Sequence, residues 1–211
     1  MRRPNRTFLP PALVAGVLAA TPALAMPPEI QDALKDSIAQ GKALWTSSGD
    51  REGAVAKFEM VLAALEPRGK SLEGEPLQML CETYVWLAML DDRVPEKRPS
   101  AAKRLESLLD LAPDFDIDRT LATSRLAAVF DALRAAKLGS VQFTFLPEGG
   151  ILRIDGKATA AAASRRMPPG VHRIAYAKPG YDVQEISATV AAGAATTADF
   201  KLNRVSSTLT L

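Results

Sequence analysis

The chain has one cysteine and one histidine in 211 residues, and each scarcity closes off a class of chemistry. A lone Cys81 cannot form an internal disulfide, so packing has to hold the fold even in an oxidising compartment. It sits in "LQMLCETYVWLAML", an apolar helical stretch that reads as housing for a small buried side chain rather than a reactive thiol. A lone His172 excludes a histidine-based metal cluster. Nothing near it in sequence reads as the oriented base that a nucleophile needs. Aromatic residues make up only 6% of the chain, with two tryptophans and three tyrosines. A long apolar run is also lacking beyond the first residues, and the formal net charge is only +2.

That small charge is unevenly placed. "MRRPNRTFLPPALVAGVLAATPALA" opens with Arg2, Arg3 and Arg6, continues through Leu, Val and Ala, and ends in Ala23-Leu24-Ala25. This is the order of a secretory signal peptide, with cleavage expected after Ala25. The alternative is a retained anchor, but the apolar run is short for a span of about 20 residues and Pro10, Pro11 and Pro22 interrupt it. Removal takes away three arginines and no acids, leaving 23 basic against 24 acidic residues. The basic character therefore belongs to the leader, which argues against a nucleic-acid surface. A periplasmic or secreted protein is expected, with no transmembrane span after cleavage.

The remaining composition, 47% hydrophobic and 24% charged, fits a folded chain. From Glu29 to Lys137 the apolar spacing is helical. Five stripes stand out: Ile30, Leu34, Ile38, Gly41 and Trp45; Ala54, Phe58, Val61, Leu62 and Leu65; Leu77, Cys81, Tyr84, Val85 and Ala88; Ala101, Leu105, Leu108, Leu109 and Ala112; Ala122, Leu126, Val129, Phe130 and Leu133. Breaks between them hold Ser48, Asp50 and Ser100 as candidate N-caps, together with paired prolines and glycines. Stacked antiparallel helix pairs with a final covering helix are expected.

Ala54, Phe58 and Val61 recur as Ala101, Leu105 and Leu108, and Pro67 and Pro113 close the two units. This resembles the second helix and terminal proline of tetratricopeptide (TPR) repeats. The first-helix signature matches only at Trp45, and the alternative is an irregular helical bundle. Trp45 and Trp86 then read as core or groove residues. In "LLDLAPDFDID" the acids Asp110, Asp114, Asp116 and Asp118 alternate somewhat like calcium ligands. A calcium loop wants a glycine at its turn and a closing glutamate, and Arg119 and Thr120 follow instead. A solvated connector with N-capping aspartates is expected, and the stretch also resembles the joint before the final helix of TPR-containing envelope proteins.

At Gly139 the period changes to two. Val141, Phe143 and Phe145 share a face, as do Gly150, Leu152 and Ile154, then His172, Ile174 and Tyr176, then Ala198, Phe200 and Leu202. Corners fall at Gly149-Gly150, Asp155-Gly156, Pro169-Gly170, Pro179-Gly180 and Ala192-Gly193. A small antiparallel β-sandwich is expected. The strings "LPEGGILRIDG", "MPPGVHRIAYAKPGYD" and "TADFKLN" resemble the PEGA domain over residues 139–204. The likeness marks Gly149, Gly150, Asp155, Gly156, Pro169, Gly170, Pro179, Gly180 and Tyr181 as structural motif positions. Gly150 departs from the family's usual alanine, so that corner is expected to be looser. "ATAAAASRR" also departs, leaving the edge loop less defined.

The fold class that follows is multidomain α + β. The divisions are a signal peptide at 1–25, a TPR-like domain at 26–138, a PEGA-like sandwich at 139–204 and a tail at 205–211. No catalytic residue, cofactor or metal is assigned, and an enzyme is not expected. The resemblance implies a cell-envelope protein whose partners are envelope proteins or peptides, in a scaffold role. The alternative is a module for cell-wall polymer or surface polysaccharide. Lys178, Arg165, Arg166 and Arg173 would serve it if clustered, but such charges commonly just solvate a face. Exposed aromatics would serve it too, and Tyr176 and Tyr181 both read as buried.

Overall fold

The computed structural model describes residues 26–205. The predicted leader and residues 206–211 lie outside the described residues. Five helices come first: α1 Pro28–Ala43, α2 Arg51–Leu65, α3 Gly74–Asp92, α4 Arg98–Leu111 and α5 Ser124–Lys137. Seven strands follow: β1 Gly139–Leu146, β2 Ile151–Ile154, β3 Lys157–Thr159, β4 Ser164–Met167, β5 Gly170–Ala177, β6 Gln184–Val190 and β7 Ala195–Lys201. The chain is thus helical first and sheet-rich second, as the change of period at Gly139 predicts.

Helix starts follow local chemistry. Asp50 caps α2 by accepting from the Gly53 amide, satisfying one of the unpaired N–H groups of the first turn. Ser48 does not cap it; this residue lies in a π turn, Leu44–Ser48, that ends α1, and its hydroxyl donates to the Leu44 carbonyl. Ser100 is no cap either, because α4 already opens at Arg98 with a proline in its first turn, where the missing N–H costs nothing. α5 is capped by Thr123, not by an aspartate of the connector.

From Met79 to Asp92 every residue of α3 except Glu82 is buried, and its polar edge is confined to Glu75, Gln78 and Glu82. A helix of that kind has to be enclosed, and α1, α2, α4 and α5 all pack against it. Lys35 pairs with Glu75 at 2.8 Å and Lys42 with Glu82. Each partner lies seven residues further along its own helix, so α1 and α3 run parallel, as alternate helices do in successive antiparallel hairpins. The expected stripe of α2 is buried at every position. Gly41 lets α1 close on α2, since a Cβ there would sit 3.0 Å from the Phe58 ring. Phe58 in turn stacks on Trp86 with centroids 5.8 Å apart. Ile30, expected on the inner stripe of α1, is instead 48% exposed, because it falls in the first turn, before α1 reaches its neighbours.

The strands form two sheets, β4-β1-β7 and β3-β2-β5-β6. Their facing sides bury Val141, Leu152, Ile174, Tyr176 and Phe200. The expectation of a wholly antiparallel sandwich needs correction. β1 and β7 pair in parallel, from Ser140↔Ala195 to Leu146↔Lys201. The last strand arrives from the opposite sheet by way of the Ala191–Gly193 corner, so it enters beside β1 running the same way.

Phe58→Ala is expected to cost about 3–5 kcal/mol, the usual loss for a buried aromatic. Urea unfolding followed by the fluorescence of Trp86, its stacking partner, measures it. Met60→Ala, on the exposed side of the same helix, should stay within about 0.5 kcal/mol.

Candidate functional site

The strand register divides the motif positions between two ends of the sandwich. β2 runs from the Gly149-Gly150 corner to the Asp155-Gly156 turn, and β5 runs back along it, Ile154 opposite Ile174 and Ile151 opposite Ala177. Gly149, Gly150, Pro179, Gly180 and Tyr181 therefore lie at one end. Asp155, Gly156, Pro169 and Gly170 lie at the other, where β1 leaves α5. They do not converge on one site.

At the first end the organising group is Tyr176. Its ring is fully buried among Phe145 and Phe200, with centroids 4.5 and 5.6 Å away. Its hydroxyl donates to the Pro147 carbonyl at 2.9 Å and accepts from the Gly150 amide at 2.7 Å. A Cβ on Gly150 would fall 2.5 Å from the Ala177 carbonyl and 2.6 Å from the Tyr176 ring. The glycine thus permits a close approach, and the corner expected to be loose is among the most tightly tied. Lys178 covers it from outside, donating to the Glu148 carbonyl at 2.6 Å. Tyr181 is half-buried against the core, with Lys178 and Arg204 over its ring at 5.8 and 5.9 Å.

At the second end His172 is oriented after all. Nδ1 lies 2.8 Å from Asp155 Oδ2 and Nε2 lies 2.8 Å from the Pro168 carbonyl. Asp155 Oδ1 accepts from the Arg173 amide. Asp155 has φ 50° and Gly156 φ 82°, the left-handed pair of a type I′ turn, which swings the carboxylate back over β5. Burial by itself would lower the His172 pKa, but the Asp155 hydrogen bond, the Pro168 carbonyl and the Asp155 charge together raise it above its ordinary value. For Asp155 burial works upward, and the His172 and Arg173 bonds and the imidazole charge outweigh it, leaving the carboxyl below its ordinary value.

The aspartates of the connector region are solvated as expected, and most of them also pair with neighbouring elements. Asp110 pairs with Lys137 at 2.8 Å and Asp116 with Arg134 at 3.3 Å, both cations on α5. Asp118 closes a local turn onto Thr120. Asp114 reaches the sandwich: Oδ2 accepts from Arg165 at 2.8 Å and Oδ1 from the Arg166 amide at 2.7 Å. Alternation along the connector sends successive carboxylates to different elements. The same contacts disperse the cations. Arg165 faces the connector, Arg173 pairs with Glu185 on β6, and Lys178 lies at the far end.

The sequence reading missed a buried acidic pair. Asp91 and Asp92, 3% and 4% exposed, end α3. Asp91 takes Arg51 of α2 at 3.4 Å and Arg104 of α4 at 2.9 Å. Asp92 accepts from Thr123 at 2.7 Å and faces Arg125 of α5. The signal was present: two acids at a helix C-terminus oppose the helix dipole, and "DDRVPEKRPS" reads as a linker only if they are solvated. Cys81 is buried, and burial pushes its thiol up to about 11.

Among the described residues no group of three or more His, Cys, Asp or Glu side chains is placed to hold a metal ion, and no helix is long and apolar enough to cross a membrane. Neither protein-family models nor curated proteins give a match to the chain.

Tyr176→Phe keeps the ring and strands two half-buried backbone groups, so a loss of about 1 kcal/mol is expected in chemical denaturation. Cys81 should resist a thiol-specific reagent at pH 8 in the native protein and react once denatured. Rapid native labelling would contradict its burial.

Proposed function

We propose that this chain is a non-catalytic, periplasmic or secreted envelope protein that acts as a protein-binding scaffold, joining a TPR-like helical module to a PEGA-like sandwich. The observation that carries the reading is the joint between them. Asp114 of the connector holds two consecutive residues of β4, and the Gly193 amide donates to the Leu138 carbonyl at 2.9 Å. A joint tied on both sides of a short connection presents the outer surfaces of two modules in one orientation, which is what a scaffold requires. The parallel α1 and α3, and the burial of both alanine-led stripes, support the TPR-like reading. The PEGA-like reading rests on the three quoted strings, which fall on the strands and corners of the two sheets.

An open groove along α3 is not available for a partner, because that helix is enclosed. The helical module instead has an apolar recess of about 460 Å³, lined by Gln40, Ala43, Leu44, Ser47, Ser48 and Lys57, where α1 gives way to its π turn. Such turns often accompany function, and the recess offers open apolar surface to a protein or peptide partner.

A photo-crosslinking residue at Ser47 in the native envelope should give one discrete protein adduct. The same residue at Thr189, exposed on the sandwich, should not give it. Absence of any adduct at Ser47, with retention of the mature chain on isolated cell-wall sacculi, would replace this reading with the polymer-binding one.

A further inference from the structure

His172 faces two oxygens that have no proton to give. Asp155 Oδ2 lies at 2.8 Å from Nδ1 and the Pro168 carbonyl at 2.8 Å from Nε2, and the side chain is only 13% exposed. A neutral imidazole has one N–H and one lone pair, so it satisfies one of these acceptors and turns a lone pair on the other. Only the imidazolium donates to both.

The two acceptors belong to different parts of the sandwich. Asp155 is on the β2–β3 turn. Pro168 opens the Pro168-Pro169 crossover, which carries the chain from β4 in one sheet to β5 in the other. β4 is also the strand that the connector grips, through Arg165 and the Arg166 amide. We propose that His172 is a proton-operated clasp between the two sheets at the end nearest the helices, closed when the ring is charged and released from Pro168 when the ring is neutral.

The surrounding groups single out Asp155 as the partner that decides. On β6 the residue opposite His172 is Ala188. Arg173, next along β5, pairs its guanidinium with Glu185 and gives only its amide to Asp155. From the crossover the facing group is the Pro168 carbonyl. Carboxylate is the stronger acceptor, so the neutral ring keeps its proton on Nδ1, and the bond to Pro168 is the one lost. The sign follows. The imidazolium's contribution is complete below the unfolded histidine value, about 6.5, and disappears as pH rises through the folded, raised one. Asp155 contributes above its unfolded value, about 3.9, and that part is lost as pH falls through the folded, lowered one. The clasp is closed between these limits.

Asp155→Asn separates this from ordinary packing. An asparagine amide donates to a lone pair on Nδ1, which leaves Nε2–H free for Pro168, and its oxygen still accepts from the Arg173 amide. Asparagine also accepts the positive φ at this position. The variant should therefore hold the clasp with a neutral ring, reversing the pH preference. The experiment is a ¹⁵N NMR titration of the imidazole from pH 4 to 10, with amide exchange read at Gly170, Val171 and Arg166.

In the wild-type chain the ring should titrate above its free value and become the Nδ1–H tautomer. Protection at Gly170 and Val171, taken relative to the intrinsic exchange rate at each pH, should fall about tenfold or more across that step, the effect of losing one hydrogen bond from a charged donor. In Asp155→Asn the ring should titrate below the wild-type value, hold the Nε2–H tautomer, and keep that protection on the alkaline side. His172→Gln should show no step. A neutral wild-type ring in the Nε2–H form, or protection unaffected by its titration, overturns the proposal. Equal titration of wild type and Asp155→Asn does so as well.

Discussion

The enclosure of α3 by the other four helices is the constraint on which the helical half depends. From Met79 to Asp92 every residue except Glu82 is buried, so its last turns leave water only that narrow edge. The one polar feature it buries as a pair, Asp91-Asp92, stands at the end where the helix dipole already disfavours negative charge. A buried carboxylate without a partner is costly, so the enclosing helices have to bring cations to that point. α2 brings Arg51, α4 brings Arg104 and α5 brings Arg125. Apolar burial sets how closely the four helices approach, and the two carboxylates fix where along α3 three of them, α2, α4 and α5, are held.

The same logic reaches across the joint. The end of α4 and the connector after it carry acids in alternation, and they are shared between two neighbours: Asp110 and Asp116 go to α5, Asp114 to β4. Individually such exposed pairs contribute little. Their value here is geometric, since Asp114 accepts from a side chain and a backbone amide of adjacent residues and so fixes β4 in angle as well as distance. In the sandwich the corresponding device is the Tyr176 hydroxyl, which ties a corner to the core at a position where only glycine fits. His172 does the equivalent at the other end, with the difference that its bonding depends on a proton.

Much of this was legible in the chain itself. The change from a period of three and four to a period of two at Gly139 follows from which side chains can share a face of a helix or a strand, and the apolar stripes of α2 and α4 are buried where spacing put them. Turn residues were readable for the same local reason: Asp155-Gly156 needs two positive φ values and few residue pairs supply them. Caps were read less well. Ser48 and Ser100 have the right chemistry for a cap, but a π turn and an earlier start at Arg98 took the helix ends elsewhere.

What the sequence determined by itself was therefore everything set by a residue and its near neighbours: element type, turn positions, the buried stripes and the scarcity of reactive groups. Only the tertiary structure decided that β7 lies parallel to β1, that Gly150 sits against a buried ring, that Asp155 finds His172, and that Asp91 and Asp92 are buried rather than solvated. Each of these joins residues far apart in the chain. Their distance depends on how whole elements settle against one another, and that arises from the summed packing of the core, which no local spacing encodes.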